Sequence, residues 1–146
     1  MRQRLSETAR WRAVLVVDSS VWIDYFNARD SAARDELRRL LADGHTRLVV
    51  PDLVLYEVLR GFRHERAMRQ ARLLLQTLSI EACGGEDLAL AAAGHYRHLR
   101  AQGITVRSAI DVMVAAFCIE NDYLLLHSDR DYDAIAAHRG LRVWQH

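Results

Sequence analysis

The sequence predicts one α/β domain of three layers, an α/β/α sandwich with helices on both faces of a central parallel sheet of about four or five strands. Three observations carry this expectation. Short β-branched or leucine-rich runs alternate with helical stretches along the chain, the pattern of βαβ units. The 146 residues, 51% of them hydrophobic, suffice for a single core. No repeat, low-complexity segment or linker divides the chain, so residues 13–146 read as one domain behind a polar, basic arm over residues 1–12.

The elements follow in order. Residues 13–17 (AVLVV) read as a fully buried strand that ends at Asp18. Ser19 and Ser20 open a helix to about Phe26, and a second helix runs from Asp30 to about Ala42 and stops at Gly44. Residues 48–50 form the next strand, closed by Pro51. Asp52 is placed to cap a helix over 53–62, with Val54, Val58 and Phe62 on one side. A further helix covers about 65–78, and 79–82 read as a short strand. Gly84 and Gly85 break the pattern, and 86–101 return to helix until Gly103. Residues 108–120 are helical and apolar almost all round. Residues 123–126 (YLLL) are a strand, 131–138 a short helix and 141–143 a final short strand.

Composition removes several function classes. No apolar run approaches the roughly 20 residues that span a bilayer, and the first residues lack the apolar core of a secretory signal, so a cytoplasmic location is expected. Cys83 and Cys118 are far apart and show no ligand spacing; they read as small buried hydrophobes, not as a zinc site. All 20 basic residues are arginine, which excludes a P-loop lysine and Schiff-base chemistry. A net charge of +1 makes no general case for nucleic acid, so contact with a polyanion has to come from local patches. Arg60, Arg63, Arg66, Arg69 and Arg72 recur at every third position. Such a series drifts around a helix axis and reads as a solvated surface, with RNA phosphates or an acidic partner as the alternative. Trp22 and Tyr25 read as core or dimer packing rather than base-stacking platforms, and His127 as structural.

The acidic residues carry the chemistry. In open parallel sheets, ligands bind beyond the carboxyl ends of the strands. Asp18 ends the first strand, and Asp129 follows the YLLL strand, with Asp131 and Asp133 close behind. Asp111 lies in the first turn of the apolar helix, and Glu57 sits mid-helix after the second strand. Each has a local explanation: Asp18 as a helix cap, Ser108 with Asp111 and Ser128 with Asp131 as capping boxes. Glu57 has no lysine to pair with, and Asp111 is the only acidic or basic side chain between Ala109 and Ile119. Burying it unpaired would cost several kcal/mol or force it neutral. Gathered in one pocket, these carboxylates repel one another, and divalent cations with a preference for oxygen ligands, Mg²⁺ or Mn²⁺, remove the conflict. Such ions promote phosphodiester hydrolysis. The Ser20 hydroxyl and Arg107 are candidate contacts to water or substrate.

At this point VVDSSVWIDYF resembles the opening of PIN domains, in particular VapC-type toxins, which often read V-D-T-S-V-W-I-D. PDLVLYEVLRG resembles their second motif, and IDVMVAAFCIENDYLLLHSDRDYDAIA their closing block. The likeness spans residues 14–143. It implies a metal-dependent endoribonuclease, the toxin of a type II toxin–antitoxin pair, using Mg²⁺ or Mn²⁺. It implies Asp18, Glu57, Asp111 and Asp129 as the four catalytic acidic positions, Asp131 as an additional metal position and Ser20 as the small hydroxyl near the first aspartate. It also implies an RNA substrate, a homodimer, and a VapB-type antitoxin that inserts an arginine or an acidic-aromatic tail near the site. Ser19 stands where threonine is common and Tyr132 where phenylalanine is common. Two other readings remain: a PIN-type nuclease of RNA processing or DNA flap cleavage, and a non-catalytic binding module such as a phospho-receiver, whose usual lysine this chain lacks.

Overall fold

Strand β1 (Val14–Val17) has neighbours on both sides, and its residues leave no room for water: Leu15, Val16 and Val17 are at most 1% exposed. In the computed structural model, which describes residues 13–146, it pairs in parallel with β2 (Arg47–Pro51) and β4 (Leu124–Leu126). The short β3 (Ser79–Glu81) pairs with β2, giving the order β3-β2-β1-β4. Register sets Leu15 opposite Leu48 on one side and Leu124 on the other. Strands buried throughout need cover on both faces, as parallel sheets do. The basic arm expected over residues 1–12 lies outside the described residues.

Seven helices among the described residues supply that cover. Helix α1 (Ser19–Phe26) packs on α2 (Ala32–Asp43) and α3 (Asp52–Arg60), and α4 (Glu65–Gln76) follows against α3. Helix α5 (Glu86–Ala101) packs on α6 (Ala109–Asn121), and α7 (Asp131–Arg139) touches both. Ser31 caps α2 by accepting from the Arg34 amide at 3.0 Å, and the helix ends at Gly44 in the left-handed conformation (φ 72°) that glycine adopts without steric cost. The apolar α6 buries Val112, Val114, Ala115, Ala116, Phe117 and Cys118. Cys83 and Cys118 are both buried in the core, as expected of them. Trp22 is also core, 0% exposed, stacked on Phe26 with ring centroids 6.0 Å apart.

Local readings were overruled in three places. The expected final strand over 141–143 is a single parallel bridge, Leu125 to Val143, held by Leu125 N–H to Arg142 O and Trp144 N–H to Leu125 O. The tail is fixed instead by Trp144, whose indole donates to Glu36 at 3.2 Å, and it lies along the outer side of β4, blunting that edge. Asp52 does not cap α3; Pro51 is the cap residue, and the Asp52 carboxylate accepts from the Cys83 amide at 3.0 Å. Ser128 does not cap α7, which begins after Arg130 without a side-chain cap.

Leu15→Ala should test the central packing. Emptying a site at 0% exposure is expected to lower stability by about 2–5 kcal/mol. The readout is a lower urea midpoint at unchanged m-value; a wild-type midpoint would contradict the placement of β1.

Candidate active site

The strand order reverses direction around β1: the chain passes outward from β1 to β2 and β3, then returns to β4 on the other side. A crevice is expected at such a switch point, beyond the carboxyl ends of the strands. The backbone draws the two ends together there, since the Asp18 amide donates to Leu126 O at 2.9 Å. Asp18 is therefore the first residue past β1 and the N-cap of α1 at once. It is 3% exposed.

Both of its carboxylate oxygens are engaged. Oδ2 accepts from the Ser20 amide at 3.2 Å and from the Ser20 hydroxyl at 2.5 Å. Oδ1 accepts from the Tyr132 hydroxyl at 2.7 Å. Asp111 stands in the first turn of α6, its amide donating to Ser108 Oγ at 3.4 Å, so one half of the anticipated capping box forms. Asp129 lies in the loop after β4 and accepts the Asp131 amide at 3.0 Å through Oδ1, the role that Ser128 was expected to take. Glu57 projects from α3, accepts from the Ser19 hydroxyl at 2.9 Å and has Arg60 3.9 Å away. The absence of lysine thus did not leave Glu57 without a cation, because arginine one helical turn on serves.

These positions meet. One oxygen each from Asp111, Asp129 and Asp131 lies within 4.8 Å of the others. Asp111, 8% exposed, is pushed up to about 6, first by burial and then by the negative charges of Asp18, Asp129 and Glu57, while a hydrogen bond from Tyr132 opposes the rise. Asp111, Asp129 and Asp131 thus form one cluster, and the charges of Asp18 and Glu57 reach Asp111 as well. Ser20 belongs to it through Asp18. Arg107 is exposed on the bend just before Ser108 and makes no ion pair among the described residues.

Sequence reasoning passed over two members. Tyr132 read as a harmless exchange for phenylalanine, yet its phenol is fully buried and touches Asp18, 114 residues away. Ser19 read as an exchange for threonine, yet it holds Glu57. In both cases the signal was a hydroxyl on an otherwise apolar or capping position. His127 is closer to the site than its structural reading suggested. Its ring lies 4.9 Å from that of Tyr132, its Nδ1 accepts from the Asp129 amide at 3.2 Å, and burial pushes it down, toward the neutral form.

The donor set fits a hard divalent cation. All the converging ligands are carboxylate oxygens, with neither thiolate nor neutral imidazole among the three that cluster most closely. A carboxylate raised to about 6 by burial and by its neighbours' charge is the electrostatic counterpart of a site built for positive charge.

The PIN domain family profile matches residues 15–138. A VapC ribonuclease of Mycobacterium bovis is 35% identical over 124 residues, covering 84% of this chain and 92% of that protein. Ribonuclease VapC11 of Mycobacterium tuberculosis matches to the same extent, 35% over 124 residues. Among solved structures, VapBC2 of Rickettsia felis bound to a promoter DNA fragment superposes with TM-score 0.71 at 13% identity, covering 89% of this chain and 96% of that one. VapC20 of M. tuberculosis, a sarcin–ricin loop cleaving toxin, gives TM-score 0.62 at 22% identity, over 82% and 93%. At those identities the structures speak for the fold, and the closer sequence relatives speak for the branch. The chain belongs to the PIN-domain family, within the group of VapC ribonucleases.

Proposed function

We propose that this protein is the toxin of a type II toxin–antitoxin pair, a Mg²⁺- or Mn²⁺-dependent endoribonuclease acting in the cytoplasm. The observation that carries the reading is that one oxygen each from Asp111, Asp129 and Asp131 lies within 4.8 Å of the others, with Asp111 raised to about 6 by burial and by the charges of Asp18, Asp129 and Glu57. The curated relatives are ribonucleases by name, and the solved neighbours include toxin–antitoxin complexes, which supports RNA as substrate and a VapB-type antitoxin as partner. A homodimer is part of the same reading. No helix among the described residues is long and apolar enough to cross a membrane.

Asp18, Glu57, Asp111, Asp129 and Asp131 would hold the metal, directly or through water. When bound, it supplies Lewis-acid polarisation of the phosphoryl group and a lowered pKa for water. The chain's own residues orient and exclude. Ser20 fixes the Asp18 carboxylate, Ser19 fixes Glu57, and the Asp131 amide fixes Asp129. Arg107, exposed four residues before Asp111, is assigned to a substrate phosphate, where a planar guanidinium binds two oxygens. No side chain is assigned as a separate general base.

The test is cleavage of labelled RNA oligomers by protein stripped with EDTA. Activity should vanish on stripping and return with Mg²⁺ or Mn²⁺. Cleavage that continues in excess EDTA would defeat the proposal.

A further inference from the structure

The Tyr132 hydroxyl sits where the metal-site reading has no assigned part for it. Tyr132 is 0% exposed and belongs to α7, whereas its acceptor, Asp18 Oδ1, belongs to the end of β1, 2.7 Å away. Its backbone amide donates to Asp129 O at 3.3 Å, and its ring rests on His127, which in turn accepts from the Asp129 amide. One residue thus ties the Asp18 carboxylate to the loop that bears Asp129. The Ser20 donors take the other oxygen of Asp18, so neither oxygen is free to swing.

We propose that Tyr132 is a positioning residue for the cation site: its hydroxyl pre-sets the Asp18 carboxylate and couples it to the Asp129 loop before an ion is bound. This rests on the reading of the carboxylates as a cation centre. A carboxylate accepts several hydrogen bonds at once, so the phenol can orient Oδ1 and leave a lone pair for a metal. Donors behind a ligand raise metal affinity by removing orientational freedom, and their loss typically weakens binding by about 10–100-fold. Without the phenol, Oδ1 would lie buried without its donor, and the carboxylate would have to turn to find another.

Tyr132→Phe keeps the ring and its contact with His127 and deletes only the hydroxyl. Mn²⁺ affinity would be measured by calorimetry on wild type, Tyr132→Phe and Tyr123→Phe, alongside RNA cleavage across a Mn²⁺ titration and the melting temperature without metal. Tyr123 is the control, since its phenol donates to Glu81 at 2.7 Å and has no contact with this site. The expected result is Mn²⁺ binding at least about 10-fold weaker in Tyr132→Phe alone. Its cleavage should return toward the wild-type rate at saturating Mn²⁺, with KM for RNA unchanged. A merely structural role would move the melting temperature and leave affinity alone. Equal or tighter Mn²⁺ binding by Tyr132→Phe would overturn the positioning role while leaving the cation centre standing. Wild type that takes up no Mn²⁺ would overturn both.

Discussion

Asp18→Asn should abolish RNA cleavage while leaving the fold intact. The two halves of this expectation come from the two jobs of the side chain. As N-cap of α1 it accepts from the Ser20 amide, and asparagine caps as well as aspartate. Its carbonyl oxygen can keep the Ser20 donors, and its amide can turn toward the Tyr132 oxygen. The negative charge, in contrast, has no substitute. Asp18 is 3% exposed among other carboxylates, a setting suited to binding a positive charge. The single-turnover rate should fall by roughly 10²–10³-fold or more, equivalent to about 3–4 kcal/mol of transition-state stabilisation. The melting temperature without metal should stay level or rise, because one repulsive charge is gone, as is common when a functional site is relieved of strain. Rates within about tenfold of wild type would remove Asp18 from the machinery, and a collapsed fold would show that its cap role outweighs its charge.

Much of this site was legible from spacing, and the portion that was not has one physical cause. Asp18 announces itself because a β-branched run ends in an acid, and the C-terminal end of a buried parallel strand is where ligands gather. Asp111 announces itself because it interrupts an otherwise apolar helix. The end of α2 followed Gly44, the glycine next to its last residue. What sequence reasoning missed depends on partners far along the chain. Asp52 has the composition of a cap but is claimed by the Cys83 amide, 31 residues on. Tyr132 and Ser19 look like neutral exchanges until Asp18 and Glu57 arrive from elsewhere. The last strand shrank to a bridge because residues 141–146 found a stronger anchor, the buried Trp144 indole on Glu36, than further ladder bonds. Local propensity sets what a segment can do, and long-range hydrogen bonds select among those options.

Asp111→Asn is expected to invert the order of stability between variant and wild type when a divalent cation is added. In the unfolded chain this carboxyl ionises near its ordinary value of 3.8, whereas in the fold it holds its proton to about 6. Between those values the folded state binds more protons, so stability falls as pH rises through that window, and the whole penalty is present above about 6. At pH 7.5 it amounts to on the order of 3 kcal/mol. Asparagine cannot ionise, and its backbone amide still donates to Ser108. Without metal at pH 7.5 the variant should therefore melt higher, by roughly 10 °C for a domain of this size. Near pH 4 the two should coincide, because the wild-type carboxyl is then neutral as well. A cation binding only the folded state adds about 4.1 kcal/mol at a concentration about one thousand times its Kd. Wild type should gain this in Mn²⁺ and overtake the variant, which lacks a charged oxygen in the cluster with Asp129 and Asp131. Thermal melts at pH 4 and 7.5, with and without Mn²⁺, give all four comparisons. A wild type that melts higher than Asp111→Asn without metal at pH 7.5 would mean that Asp111 is stabilised by the fold, and the electrostatic conflict on which the cation site is argued would be absent.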